Sequence, residues 1–351
     1  MLRSVLPRHI IKLIRISLQT SRHAKMRFFK FLLRLSIRYL PFIYSYIELS
    51  NDTASKQDGT GAQLQRLLSV ASLAETIGAR FVQKEIENVT IHPLDPFQTP
   101  EKYKEFMYRL NYLFKIFEPD CGTRKVHKVL FVEDLNLMFL FFVSLLSYRK
   151  KENTRLVIQN PYAVSDLLVD NLESVVSKLG NLNSDIPLNS GKPFIAIHYR
   201  QGVGNFVIYP GQTISREIDV SYFKNCIEKF RNLLPPDNYE VHVFTDAPAT
   251  SIKYQPPADQ VYLWEGTPGF EDGVVEIQAT NVNAASLGVS DVIVHSGGDP
   301  LDAILFMSRA SMLITGRSSL SYLAGIMNRS GIVVSAPLFW HPSPERWLSA
   351  D

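Results

Sequence analysis

Apolar residues along this chain change period several times, between the alternate spacing of strands and the three-and-four spacing of helices. In residues 62–77 they fall on one helical face, and Gly78 follows as a helix terminator. The predicted strands of the first half lie at residues 42–49, 79–83, 126–132 and 154–159. The predicted helices lie at residues 62–77, 101–117, 135–148 and 164–179.

The alternation is clearer in the second half of the chain. The predicted strands there lie at residues 193–199, 239–246, 260–264, 291–296, 311–316 and 331–336. The predicted helices lie at residues 218–234, 279–287, 302–309 and 318–328. Strands that alternate with helices pair in parallel through right-handed crossovers. The sequence therefore predicts an α/β protein of two domains with a cleft between them.

Local composition indicates where these domains end. Residues 180–192 are polar and rich in Gly, Asn and Pro, which is typical of a linker. We therefore expect a basic amphipathic leader at residues 1–41, a first α/β domain at 42–180, the linker at 181–192 and a second α/β domain at 193–351.

The leader carries most of the charge asymmetry. The first 47 residues hold ten of the 37 Lys and Arg and no acid, while residues 48–351 hold the other 27 and all 34 acids, a net charge of −7. Its basic residues alternate with Leu, Ile and Phe, and no uncharged run is long enough to span a bilayer. This pattern predicts a helix on an anionic membrane surface, with a helix packed on protein as the alternative. Two cysteines are too few for a disulfide framework, so we expect a cytoplasmic protein. Because the positive charge lies in one segment, we expect the protein to be peripheral on the cytoplasmic face of a membrane and not to bind nucleic acid.

Polar residues follow three predicted strands of the second domain, where open α/β sheets bind ligands. Arg200 follows the strand at 193–199, and an arginine fork suits a phosphate. Ser318 and Ser319 begin a helix, whose free N–H groups favour an anion, although a simple N-cap is the better explanation of Ser318 taken alone. Asp246 ends a third strand, where it is placed to hold a hydroxyl. Together these strand ends predict a nucleotide site.

Other site types are not indicated by the motifs. The chain has no GxxxxGK[ST] loop, no GxGxxG turn after a strand and no GxSxG elbow. Its histidines lack Cys or carboxylate partners at the spacing of a zinc site, so no metal site is expected.

These segments resemble the fucosyltransferase superfamily that contains the α-1,2- and α-1,6-fucosyltransferases. The family's His-x-Arg motif is matched by His198-Tyr199-Arg200, and its Ser-Ser after an apolar strand by Ser318-Ser319. Residues 58–64 (DGTGAQL) resemble a Gly-rich loop of the α-1,2 enzymes, and residues 244–246 (FTD) resemble their Phe-Ser-Asp. Gln201 stands where the family has a second arginine.

The resemblance implies GT-B architecture, in which two Rossmann-like domains face each other across a cleft, and a GDP-sugar donor without a metal or other cofactor. It implies that Arg200 is catalytic and neutralises the diphosphate. The donor-binding residues would be His198, Gly202, Asp246, Asp302, Arg317, Ser318 and Ser319. The acceptor-side substrate residues would be Asp58, Gly59, Gly61 and Gln63.

A general base must take the proton of the acceptor hydroxyl. We choose Glu217 as this base, with Asp219, Asp246 and Asp58 as alternatives. A purely structural explanation of Glu217 is that a carboxylate near the start of a helix is favoured by the helix dipole. The predicted function is an inverting transfer of fucose, or a related sugar, from a GDP-sugar to a hydroxyl of a glycan or polysaccharide. A non-catalytic nucleotide- or glycan-binding protein, and a transferase that uses another nucleotide sugar, are the alternatives.

Overall fold

The computed structural model describes residues 35–52, 59–90, 92, 94–116, 125–135, 137–160, 171, 174–179, 192–201, 206–209, 212–215, 217–234, 239–256, 270–337 and 343–350. The chain forms two compact units, and neither is one continuous stretch. Unit 1 consists of Met1–Asp52, Ser69–Lys84 and Asp120–Asn171, and unit 2 consists of Thr53–Leu68, Glu85–Pro119 and Leu172–Asp351. Residues 53–68 and 85–119 therefore group with the C-terminal half. The predicted linker lies outside the described residues except for Lys192, so its boundaries stay a prediction.

The strands of the described chain follow in the order β1 (Ile47–Asn51), β2 (Arg80–Phe81), β3 (Lys128–Asp134), β4 (Thr154–Asn160), β5 (Phe194–Tyr199), β6 (Phe206–Tyr209), β7 (Gln212–Ser215), β8 (Glu240–Thr245), β9 (Ile252–Tyr254), β10 (Phe270–Glu271), β11 (Val274–Ile277), β12 (Ile293–Ser296), β13 (Met312–Ile314), β14 (Ile332–Ser335) and β15 (Leu348–Ser349). The helices are α1 (Thr60–Ile77), α2 (Pro100–Leu113), α3 (Leu137–Lys150), α4 (Val220–Phe230), α5 (Ala284–Leu287), α6 (Pro300–Met307) and α7 (Ser319–Met327).

Unit 1 is built on a parallel sheet with the strand order β2-β1-β4-β3. All five residues of β1 are buried, including the acid Glu48. Its carboxylate accepts a hydrogen bond from Arg80 Nη1 at 3.3 Å and another from Arg155 Nη2 at 2.9 Å, on the two neighbouring strands. A buried charge is tolerated when it is paired in this way, so the three side chains fasten the middle of the sheet.

Unit 2 is built on a six-stranded parallel sheet with the order β12-β8-β5-β13-β14-β15. Numbered by their sequence within this sheet, the strands stand in the order 3-2-1-4-5-6, which is the order of a Rossmann fold. The first strand, β5, has all six residues buried, as expected for a parallel strand covered on both faces. The two parallel sheets confirm the predicted α/β class and its Rossmann-like character.

Ligands of such folds bind at the topological switch point, where the strand order reverses. In unit 2 that point lies between β5 and β13, which pair directly from Met312–Ile195 to Ile314–Ile197. The chain leaves β5 at Arg200 and leaves β13 at Thr315. The sheet therefore places two of the predicted polar strand ends side by side.

Two parts of the sequence-based prediction differ from the structure. Residues 41–44 form a 3₁₀ helix instead of the start of a strand, because Pro41 occupies its first turn and favours a helical φ. The small antiparallel sheets β6–β7 and β10-β11-β9 were not predicted at all. The strand predicted at 260–264 lies outside the described residues, as does the leader as far as residue 34. Within the described residues, no helix is both long enough and apolar enough to cross a membrane.

Candidate functional site

Arg200 is held in place by Asp246, the residue that follows the neighbouring strand β8. Arg200 Nε lies 3.7 Å from Asp246 Oδ2, and the backbone N–H of Gln201 donates to Asp246 Oδ1 at 3.0 Å. The side chain of Arg200 is mostly buried. The structure thus brings together two predicted site residues: Asp246 holds the loop through Gln201 and lies beside Arg200 as its counter-charge.

The loop after β5 is also tied to residues 279–281. Gln201 Nε2 donates to the carbonyl oxygen of Ala279 at 3.5 Å, and Gln201 Oε1 accepts from the backbone of Asn281 at 3.3 Å. Gln201 therefore has a role within the fold. Gly202, the next predicted ligand, lies outside the described residues.

His198 lies beneath this loop and is fully enclosed. Burial lowers its pKa to about 4; the Arg200 charge also lowers the pKa, while Asp246 opposes the shift. The ring is therefore neutral at neutral pH. A Cβ on Gly316 would clash with the carbonyl oxygen of His198 and lie 3.1 Å from its Nδ1, so only glycine permits this approach of the two strand ends.

The turn after β13 leads into helix α7. Ser318 is the N-cap residue, because its Oγ accepts from the backbone N–H of Leu320 at 3.3 Å. The Ser318 hydroxyl is thus buried and engaged in capping, while Ser319 is half-buried at the first helical position. Arg317 donates to the carbonyl oxygens of Pro337 at 2.9 Å and Glu217 at 3.5 Å, so it ties two loops to the turn.

The N-terminus of α1 meets the N-terminus of α7. A Cβ on Gly61 would lie 2.6 Å from the backbone nitrogen of Leu320, so the two helix starts touch with only hydrogen atoms between them. Each helix N-terminus carries a partial positive charge, although the N–H groups of Ala62 and Gln63 already donate to the carbonyl oxygen of Gly59 and that of Leu320 donates to Ser318. Their convergence beside the end of β13 makes this place attractive to an anion.

The other predicted acceptor-side residues are Gly59, Gln63 and Asp58. An added Cβ on Gly59 would make only an ordinary contact, 3.4 Å from His92 Nε2. Gln63 is buried, and its amide donates to the carbonyl oxygen of Asn88 at 3.3 Å, so it supports the fold. Asp58 lies outside the described residues.

Asp302 is placed in the first turn of α6 and is half-exposed. Arg109 of α2 binds Asp302 through Nη2 and binds Asp299 Oδ2 through Nη1 at 2.7 Å. Asp299 is also the N-cap of α6. The predicted nucleoside ligand therefore belongs to a bridged arginine–carboxylate group, and Arg109 was missed because α2 is distant in sequence.

Asp95 is a second residue that sequence analysis missed. It lies in the segment that packs on the loop after β12, where a Cβ on Gly297 would be 2.8 Å from the carbonyl oxygen of Leu94. Burial raises the pKa of Asp95 to about 7, the backbone N–H of His92 lowers it through a 2.6 Å hydrogen bond, and the Asp299 and Asp246 carboxylates raise it. A carboxyl that titrates near neutral pH is suited to proton transfer.

Glu217 lies close to β5 through Tyr199. The Tyr199 hydroxyl lies 3.4 Å from Glu217 Oε1 and 3.1 Å from Asn281 Oδ1. Burial and the Glu217 charge raise the pKa of Tyr199 to about 12, so the phenol remains a donor. Asp219 caps α4, where its Oδ1 accepts from the backbone N–H of Ser221 at 2.8 Å.

Within the described parts of the chain, the side chains that could ligate a metal ion do not form a metal centre. No group of three or more His, Cys, Asp or Glu side chains lies close enough together there to hold an ion. Asp95, Asp246 and Asp299 interact electrostatically, with Arg200 and Arg109 as the cations beside them.

No protein-family model matches the chain, and no curated protein matches it. Among solved structures, E. coli heptosyltransferase WaaC with ADP-2-deoxy-2-fluoro heptose is similar over 86% of this chain and 92% of that chain, at 11% identity and a TM-score of 0.35. Fucosyltransferase NodZ from Bradyrhizobium is similar over 80% of this chain and 93% of that chain, at 12% identity and a TM-score of 0.32. The glycosyl transferase family 9 protein from Veillonella parvula matches over 87% of each chain, at 11% identity and a TM-score of 0.32. Proteins this distant can differ in substrate and in reaction.

Proposed function

We propose that the protein is a glycosyltransferase that transfers a sugar from a nucleoside-diphosphate donor. The observation that carries the proposal is the convergence of two helix N-termini, at Gly61 and Leu320, beside the switch point of a Rossmann sheet. A diphosphate is the ligand that such a site favours, because it is an anion with several acceptor oxygens.

Arg200 supplies the charge for the leaving group in this proposal. The acceptor oxygen attacks the anomeric carbon while the bond from that carbon to the diphosphate oxygen breaks, so negative charge grows on the diphosphate. A mostly buried arginine that already lies beside Asp246 stabilises that charge with little reorganisation. By analogy with donors that stabilise oxyanions, its contribution is about 3–4 kcal/mol.

The proton of the acceptor hydroxyl must go to a base. Glu217 was predicted from the sequence, and its backbone carbonyl and carboxylate are both engaged with neighbouring side chains. Asp95 is the stronger choice, because its pKa of about 7 matches the task and it lies in the electrostatic range of Asp246. We therefore propose Asp95 as the base and retain Glu217 as the alternative.

The donor in this proposal is GDP-fucose or a related GDP-sugar, and the acceptor is a glycan hydroxyl reached with inversion. The resemblance of His198-Tyr199-Arg200 and Ser318-Ser319 to the fucosyltransferase superfamily supports this choice. The replacement of the second arginine by Gln201, which bonds within the fold, favours a different donor or a non-catalytic nucleotide-binding protein as the second candidate. We further propose that the protein is cytoplasmic and peripheral on the cytoplasmic face of a membrane, which the ten basic residues and no acid of residues 1–47 support.

A nucleotide screen tests the donor assignment. The melting temperature of the purified chain is measured with GDP, UDP, CMP and ADP, and GDP is expected to raise it most. Equal shifts from all four would reject the GDP assignment, and no shift from any of them would reject the nucleotide site itself.

An arginine substitution tests the mechanism. Arg200→Lys keeps the charge but loses the planar fork, so turnover should fall by about 100-fold or more with an unchanged melting temperature. Arg231→Lys, at an exposed position of the same unit, is the matched control and should leave turnover unchanged. Normal kinetics in Arg200→Lys would remove Arg200 from the site.

A further inference from the structure

A cluster of exposed aromatic and basic side chains lies on unit 1, whereas the residues assigned to the nucleotide site belong to unit 2. Tyr39 is 64% exposed, Phe42 is 47% exposed and Tyr148 is 39% exposed, so three large rings of this unit face water. We call this the aromatic–basic surface. Its members are Arg38, Tyr39, Leu40, Phe42, Tyr148, Arg149, Lys150 and Lys151.

The two chain segments of this surface are held together by ring packing. Phe42 lies in the 3₁₀ helix and Tyr148 in the last turn of α3, and their ring centroids are 5.1 Å apart. Tyr46 also packs on Tyr148, with ring centroids 6.2 Å apart. The exposed rings are therefore presented on a fixed base rather than on a loose loop.

Helix α3 ends in a left-handed backbone position that favours glycine, and this position carries a lysine. Lys151 has a φ of +57°, its N–H donates to the carbonyl oxygen of Tyr148, and the N–H of Glu152 donates to that of Ser147. This is the Schellman termination, in which glycine normally occupies the left-handed position. A lysine there is strained relative to glycine, and what it provides is a third consecutive cation after Arg149 and Lys150.

The charges around the surface are almost all positive. The cations of the surface are Arg38, Arg149, Lys150 and Lys151. Glu152 is the only acid among residues 148–152. The chain enters the surface from residues 1–34, which carry nine Lys or Arg and no acid. That segment therefore supplies no acid that could neutralise the surface.

We propose that the aromatic–basic surface docks on an anionic lipid bilayer, with Tyr39, Phe42 and Tyr148 at the headgroup level and the lysines and arginines on anionic headgroups. Tyrosine combines an apolar ring with a polar tip and is therefore favoured at a membrane–water interface. Basic residues next to such rings add electrostatic attraction, which falls with salt. The proposal extends the expected membrane contact from residues 1–41 to the folded body of unit 1, and it does not depend on the glycosyltransferase proposal.

Vesicle binding of the full chain tests this surface. The surface variant combines Tyr39→Ser, Phe42→Ser, Lys150→Gln and Lys151→Gly, and leaves residues 1–34 intact. Each basic residue near an anionic leaflet contributes about fivefold to partitioning. Loss of two charges and two rings should therefore weaken co-sedimentation with phosphatidylglycerol-containing vesicles at low salt by about 25-fold or more.

The matched control removes equivalent side chains from α2 of unit 2, where Tyr108 and Tyr112 are 74% and 51% exposed. It combines Tyr108→Ser, Tyr112→Ser, Lys102→Gln and Lys104→Gln, and should change vesicle binding less than twofold. The single variant Lys151→Gly guards against misfolding. Since it relieves the left-handed strain, it should melt at or above the temperature of the unchanged protein while it binds vesicles about fivefold more weakly.

Three results would overturn the proposal. The first is a surface variant that binds anionic vesicles as tightly as the unchanged protein, which would assign all binding to residues 1–34. The second is equal binding to phosphatidylcholine vesicles with and without phosphatidylglycerol. The third is binding of single-stranded RNA that depends on these substitutions while vesicle binding does not, which would assign the surface to nucleic acid.

Discussion

Asp95→Asn is the substitution whose effects on stability and activity should go in opposite directions. Asparagine keeps an oxygen that can accept the 2.6 Å hydrogen bond from the His92 backbone but cannot ionise. The folded protein holds the proton of Asp95 up to about pH 7, whereas the unfolded chain releases it near the ordinary pKa of 3.8. Stability from this carboxyl is therefore fully present below about pH 4 and is lost as the pH rises to about 7.

The magnitude follows from these two pKa values. Each tenfold difference in proton affinity is about 1.4 kcal/mol, so the full span would be about 4 kcal/mol. Between pH 5 and pH 8 only part of that span is crossed, and the carboxyl remains partly exposed to water. We therefore expect the unchanged protein to lose about 1–3 kcal/mol more than Asp95→Asn between these pH values.

The assay is denaturant unfolding of both proteins at pH 5 and pH 8. Asp95→Asn should be more stable at pH 8, yet its turnover should fall by about 100-fold or more if Asp95 is the base. Glu217→Gln serves as the comparison for the alternative base. An equal pH dependence of stability in both proteins would refute the raised pKa, and a Glu217→Gln loss that exceeds that of Asp95→Asn would transfer the role to Glu217.

Three further predictions concern other parts of the molecule. Gly61→Ala should weaken nucleotide binding by about tenfold or more in titration calorimetry, because the methyl group would separate the two helix starts; Gly59→Ala, which meets only a side-chain end at 3.4 Å, should lose much less. Glu48→Gln should lower the free energy of unfolding by about 1–3 kcal/mol, because two arginines of unit 1 lose their charged partner, and a loss below about 0.5 kcal/mol would count against that pairing. Transferase activity should survive EDTA, and a loss that Mn²⁺ restores would reject the metal-independent mechanism.

Sequence periodicity predicted the parallel sheet of unit 2 because its signal is local. A buried strand such as β5 is a continuous apolar run in the sequence. A capping residue such as Ser318 lies within three residues of the helix start that it caps. The strand-end residues Arg200 and Asp246 could be brought together from sequence for the same reason. Parallel strands end at one edge of the sheet, so side chains that follow neighbouring strands must lie close.

The remaining part of the site depends on long-range packing that no local pattern records. Arg109 lies on an ordinary amphipathic helix, and only the fold shows that it reaches Asp299 and Asp302. Asp95 has an ordinary sequence context, and its raised pKa results from burial against a loop two hundred residues away. The short antiparallel strands β9 to β11 were missed because two to four residues are too few to show a period.

The contact between Gly61 and Leu320 also has a consequence for the order of events during synthesis. The two sides of the anion site are separated by about 260 residues of chain, so neither side can form it until α7 has left the ribosome. The sheet of unit 1 and the aromatic–basic surface, in contrast, are complete once Asn171 has been made. At about 5–20 residues per second, roughly 10–30 seconds separate the two stages. If both proposals hold, a nascent chain would therefore gain its membrane surface well before its nucleotide site, in an order set by the positions of these segments along the chain.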